Sequence, residues 1–186
     1  MRCWSSRGIR RCRPMGNPVV IGFAPLADAT ARVLVLGSLP SVASVLAGQY
    51  YGHPRNAFWP IMGRLFGFDA TAEYSERCAA LQAAGVAVWD VAAQAQRPGS
   101  LDAAIRAPTV QPTDLDGLLR RCPGIGHVFF NGGAAATLFR RHHPADTAIR
   151  QLPATRLPST SPAHASLRFE QKLTAWQVVR DRVQSS

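Results

Sequence analysis

The sequence predicts an α/β fold of three layers, α/β/α, around a central, mainly parallel sheet of about four strands. Three observations carry that expectation. From about Val19 onward, short apolar runs alternate with longer stretches of helical period. The short runs are apolar on both faces, as strands are when helices cover the sheet on each side. Each run also exits into a turn rich in Gly, Pro, Ser or Asn. In a parallel sheet those exits share one edge, which is where α/β proteins place their ligands.

The elements follow in order. "RVLVLG" (32–37) is β-branched and stops at a glycine, so it reads as a buried strand. The exit "SLPSVASVLAGQYYGHPR" is read as one long turn. "NAFWPIMGRLFG" (56–67) is a helix with Pro in its first turns, and "AEYSERCAALQAAG" (72–85) is a second helix with a Gly stop. "VAVWDV" (86–91) is the second buried strand, followed by a polar connection, "AAQAQRPGSLDAAIRAP". "TDLDGLLRRC" (113–122) is a helix with Thr113 as its cap and Asp in its first turn. "GHVFFNGG" (126–133) is the third strand, and "AAATLFRRHH" continues as helix. A short fourth strand lies in "QLPATRLPSTSPAHAS" (151–166), and "SLRFEQKLTAWQVVRDRV" (166–183) closes the chain as a helix, whose start is placed near Pro162. No internal repeat or long linker divides the chain, so residues 19–186 read as one domain preceded by a basic, disordered arm over 1–18.

The charge narrows the partners. The net charge is +10, carried by 20 arginines and one lysine, Lys172. Five arginines (Arg2, Arg7, Arg10, Arg11, Arg13) fall in the first 14 residues, yet the body stays basic without them. A basic surface points to a polyanionic partner, and coding bias is the plainer reading of an Arg-rich, Lys-poor composition. The first 14 residues read as a phosphate-tracking arm, a transit-like peptide, or an over-extended start with Met15 as initiator. Four cysteines (Cys3, Cys12, Cys78, Cys122) show no metal-ligand spacing, so no metal or other cofactor is expected. Free thiols in a reducing cytoplasm, and no secretion signal, are the expectation. The uncharged span 33–54 is too polar and too broken for a membrane helix.

Four motifs fall at strand exits: "LGSLPSVASVLAGQYYGHPRNAFWPIM", "WDV…RPGSLDAAI", "FFNGGAAATLF" and "LPSTSPAHAS". Together they resemble the hypoxanthine-DNA glycosylase family, the deoxyinosine-excising branch of the uracil-DNA glycosylase superfamily. The resemblance runs from about Gly22 to Val183. It implies a monomeric enzyme acting on DNA that contains deaminated bases. Leu39 stands where the related mismatch-specific branch keeps a catalytic Asn, and the resemblance gives the water-positioning role to Asn56 instead. It makes Tyr51 the ring on which the extruded base stacks and Asp90 the reader of the base edge, with Gly37 and Ser38 beside them. The loop with Ser159, Thr160, Ser161 and His164 is then expected on the DNA backbone, together with His53 and Asn131.

The chemistry of base excision asks for such groups. A base inside a duplex must be swung out before its glycosidic bond is reachable. Stacking on an aromatic ring is worth roughly 1–3 kcal/mol per base, and a carboxamide can orient a water without an unusual pKa. Each residue also has a plainer reading. Asn56 is a natural helix cap, Tyr50 and Tyr51 can be core, and Asp90 can cap a loop. His53 can bond within its own loop, and Asn131 can belong to an ordinary strand-to-helix turn. Phe58, Trp59, Trp89, Phe129, Phe130 and Trp176 read as core. Rival functions are a uracil- or xanthine-directed glycosylase of the same fold and a catalytically silent DNA-binding module. A nucleotide-binding enzyme lacks support, because neither a G-x-G-x-x-G nor a P-loop occurs.

Overall fold

The computed structural model describes residues 18–185 of the chain. The expected arginine-rich arm, with Cys3 and Cys12, lies outside the described residues except at its last position.

The central sheet has four parallel strands, β2 Val33–Gly37, β3 Val86–Asp90, β6 His127–Asn131 and β7 Ala154–Leu157, in the spatial order β3-β2-β6-β7. Its period of two sorts the core. Val33 and Val35 face one side with Phe58, Ile61, Met62, Leu81 and Trp176. Leu34 and Leu36 face the other with Leu115, Leu118, Leu138, Phe139 and Ile149. The first layer is α2 (Phe58–Phe66), α3 (Tyr74–Ala83) and α7 (Phe169–Gln184). The second is α4 (Leu115–Arg121), α5 (Gly133–His142) and the short α6 (Ala148–Gln151). The expected three-layer α/β/α architecture is the one found, and the expected aromatic core is buried, with Trp89 half-buried.

Four details differ from the sequence reading. The connection after β3 is not irregular: β4 (Ala92–Gln96) pairs antiparallel with β1 (Val19–Ile21) and β5 (Gln111–Pro112) in a second, three-stranded sheet. Ala and Gln favour strands poorly, so tertiary pairing decides here, with Ala92 and Ala95 as buried anchors. The turn after β2 contains a six-residue helix, α1 (Val42–Ala47), capped by Ser41 Oγ and ended by Gly48 at φ 64°. Thr113 does not cap α4. Asp114 does, accepting from Gly117 N–H at 2.8 Å, and the Thr113 hydroxyl donates to Asp90 C=O at 2.8 Å. Finally, no helix begins near Pro162; residues 158–168 are turns, and α7 starts at Phe169, where Gln171 Oε1 accepts from Arg168 N–H.

Candidate functional site

The strand exits do converge. One cavity of about 80 Å³ lies at the carboxyl edge of the central sheet. It is lined by Gly37 at the end of β2 with Ser38 after it, Asp90 at the end of β3, Asn131 at the end of β6, and Ser159 to Ser161 after β7. Tyr51 and Asn56 enter from the loop before α2. Its volume is several times what one water needs.

Parallel register sets Gly37 directly beside Asp90. A Cβ on Gly37 would collide with Asp90 Oδ1 and lie 3.3 Å from the Tyr51 hydroxyl. Glycine is therefore what lets a carboxylate and a phenol fold over the strand end. Asp90 is 4% exposed, and its Oδ2 is buried with no hydrogen-bond partner. Burial pushes its pKa up to about 7; the charge of Asp102 adds to the shift and Arg97 opposes it. An unpartnered buried carboxyl is expensive, and it faces the space a ligand would fill.

Tyr51 occupies the left-handed region at φ 54°, which is unusual for a bulky side chain. Its ring stacks on Phe58, with centroids 3.9 Å apart and planes at 26°. Phe58, itself fully buried against Trp59 and Trp176, fixes that ring at the cavity wall. The Tyr51 hydroxyl is buried without a hydrogen-bond partner, and burial raises its pKa well above the tyrosine range. Tyr50, by contrast, is core: its hydroxyl donates to Ala24 C=O at 3.1 Å and its carbonyl accepts from Trp59 Nε1 at 2.8 Å. Tyr51→Phe removes an orphaned polar atom and keeps the ring. The variant is expected to be as stable as the parent or up to about 1 kcal/mol more stable in urea unfolding.

Asn56 serves two purposes at once. Its Oδ1 accepts from the N–H of Phe58, the first residue of α2, at 3.0 Å, while the side chain still lines the cavity. Asn131 is held by the opposite loop: Nδ2 donates to Thr160 Oγ1 and Oδ1 accepts from Thr160 N–H, both at 2.8 Å. Thr160 is completely buried. The clamp ties the end of β6 to the loop after β7, and both residues line the cavity. Ser159 and Ser161 are half-buried, and their oxygens accept from the backbone N–H groups of Ser161 and Ala163 at 3.2 Å. Each O–H stays available as a donor. Gly132, at φ 98°, lets the strand end pack against Ser159, whose Cβ would be 2.9 Å from any Cβ there.

The two histidines sit outside the cavity. His53 bonds within its own loop, Nδ1 accepting from Arg55 N–H at 3.1 Å. His164 lines a second pocket of about 210 Å³, which shares Ser159, Ser161 and Asp102 with the cavity. The uncapped start of α5 opens on this pocket, with no acidic residue in its first turn.

These strand-end features have a counterpart among known proteins: residues 24–180 match the family model of the uracil DNA glycosylase superfamily. The chain belongs to that superfamily. It is 36% identical over 112 residues to the hypoxanthine DNA glycosylase of Methanosarcina barkeri, covering 60% of this chain and 70% of that one. It is 34% identical over 115 residues to the enzyme of the same name from Methanosarcina acetivorans, covering 61% and 72%. The solution NMR structure of a candidate uracil DNA glycosylase from M. acetivorans superposes with a TM-score of 0.73 at 28% identity, covering 90% of this chain and 99% of that one.

The superfamily site holds groups that sequence reasoning passed over. Arg97 is 1% exposed; its guanidinium donates to Leu39 C=O at 3.2 Å, to Pro40 C=O and, through Nε, to Gly99 C=O at 3.0 Å. It staples the loop after β2 to the exit of β4. Asp102, 3.9 Å from Arg97, accepts a 2.6 Å hydrogen bond from Ser38 Oγ and lines the cavity as a second carboxylate. Lys172, on the last helix, is buried, and its Nζ donates to His164 C=O at 2.8 Å. It holds the 161–164 loop from behind but does not line the cavity. Among the described residues no group of three or more His, Cys, Asp or Glu could hold a metal ion, and no helix is long and apolar enough to cross a membrane.

Proposed function

We propose that the protein is a monofunctional DNA glycosylase that hydrolyses the N-glycosidic bond of deaminated purines, chiefly hypoxanthine. The observation carrying this reading is the meeting of Tyr51, Asn56 and the unpartnered Asp90 carboxyl in one cavity at the sheet edge. The names of the Methanosarcina relatives support the choice of base.

The everted nucleoside stacks its base on Tyr51, whose backbone strain and contact with Phe58 keep the ring in place. Ionised Asp90 accepts the N1–H of hypoxanthine; adenine offers a lone pair at N1 and is repelled. Asn56, with one lone pair of Oδ1 on Phe58 N–H, holds the attacking water with its second. Water adds to C1′ as the C1′–N9 bond breaks, and that electron pair leaves with the purine. The water's protons go to solvent and to the departing base, giving free hypoxanthine and an abasic sugar. Hydroxyls of Ser159 and Ser161 donate to flanking phosphates, with Asn131 and Thr160 as positioning residues that hold their loop. Hydrolysis without a covalent intermediate is inferred because the cavity lining contains no lysine to form a Schiff base. A cytoplasmic monomer is the matching expectation.

The test is release of free base from matched oligonucleotides carrying one hypoxanthine, uracil or xanthine each. Hypoxanthine is expected to be released fastest. A protein that binds all three with steep salt dependence yet releases no base would instead be the silent DNA-binding module.

A further inference from the structure

A third cavity, of about 310 Å³, lies away from the catalytic edge between α5, α6 and β7. Its floor is aromatic, from Phe130 and Phe139, and three arginines stand around it: Arg140 on α5, Arg150 on α6 and Arg156 on β7. No acidic residue lines it, and none of the three is in an ion pair among the described residues. Arg150 lies over the Phe139 ring at 5.3 Å, and its Nε is buried with no hydrogen-bond partner. Three cations converging without a counter-charge repel one another, and an anion would relieve that repulsion. Guanidinium forks match phosphate oxygens in particular.

The groove connects with the rest of the site. Ser159 and Ser161 are shared by the cavity and the second pocket, and Gly133 is shared by the second and third. The Arg156 guanidinium would lie 3.8 Å from a Cβ on Gly133, so it guards the junction. From Gly133 to Arg140 the path along α5 is about 10 Å, the axial rise of roughly three base pairs of a duplex at about 3.4 Å each.

We propose that this three-arginine groove is a second phosphate site, gripping the backbone of the DNA as it runs from the reacting nucleotide along the β7 edge. The inference rests on the glycosylase reading for its ligand but is tested by binding rather than by base release. Arg140 and Arg156 are exposed, so the double variant Arg140→Gln/Arg156→Gln should fold with an unchanged unfolding midpoint. Arg156→Glu is a second, single-site variant. On a 25-base-pair duplex with a central deoxyinosine, both are expected to bind about tenfold more weakly near 0.1 M salt. The slope of log K against log salt should fall by about 1 to 2 for the double variant. Base release at saturating protein should stay within twofold of the parent. In hairpins with one flank of the lesion cut to two base pairs, the difference should vanish for one flank and persist for the other.

Unchanged affinity and slope on the long duplex would overturn the proposal, as would an equal loss on both hairpins. Chemical-shift changes in the groove with inorganic phosphate or a mononucleotide, combined with an unchanged DNA slope, would reveal a small-anion site and overturn it too. If the parent protein released no base, the glycosylase reading would fail while the slope comparison still judged the groove.

Discussion

Asn56→Ala is expected to slow single-turnover release of hypoxanthine by about 10²–10³-fold, the usual cost of removing one group that positions a reacting water or steadies developing charge. The same substitution also removes the acceptor that Phe58 N–H has at the start of α2, 3.0 Å away, at about 1 kcal/mol of stability. Stability and chemistry therefore fall together in Asn56→Ala, and one variant cannot separate them. Asn56→Ser does. Serine caps helices about as well as asparagine but is too short to hold both the cap and a water in the cavity. The expected result is a parent-like urea midpoint with base release still lowered by at least 10²-fold. Restoration of activity by serine would make Asn56 a helix cap and nothing more.

The place of Asn56, at the start of α2 and on the cavity wall, illustrates how far the sequence could be read. The central sheet was legible because Val33 to Leu36, Val86 to Val88 and Val128 to Phe130 are apolar on both faces, a pattern that few other environments produce. The meeting of Gly37, Asp90, Asn131 and Ser159 followed from their places at parallel strand ends. What stayed hidden depends on contacts between distant segments. Nothing local in "AAQAQ" announces a strand, since its pairing to Val19–Ile21 supplies what propensity lacks. Arg97 sits in a Pro-Gly-Ser stretch that reads as exposed loop, yet it is buried because Leu39, Pro40 and Gly99 offer it carbonyls. The paired use of Asn131 and Thr160 is likewise invisible until the two loops are side by side. The missed α1 had a readable signal, Ser41 before and Gly48 after, but six residues are too few for periodicity to register.

Asp90→Asn is expected to move stability and selectivity in opposite directions, which is what distinguishes a ligand-reading carboxylate from a structural one. In the folded protein Asp90 titrates near 7, far above an unfolded aspartate, because it is buried beside Asp102. The folded state therefore holds this proton more tightly. The resulting stability is full below about pH 4, is lost as pH rises through about 7, and stays lost above. At pH 8 the ionised carboxylate costs on the order of 4 kcal/mol, a cost that an uncharged carboxamide avoids. The variant should thus melt roughly 8–16 °C higher at pH 8, with the gain shrinking towards zero near pH 4. Function should move the other way. The kcat/KM of the parent for deoxyinosine is expected to rise through pH 7 and level off, since this ratio follows the free enzyme's ionisation. Below pH 6 the protonated carboxyl can donate to adenine N1, so discrimination against adenine should weaken by about tenfold per 1.4 kcal/mol of lost repulsion. The carboxamide of the Asp90→Asn variant would carry an acceptor and a donor at every pH. Its profile should be flat through 7, with hypoxanthine release at least tenfold lower at pH 8 and discrimination reduced throughout. A variant that gained stability at pH 8 yet kept the parent's profile and selectivity would leave Asp90 as a buried acid without a part in reading the base.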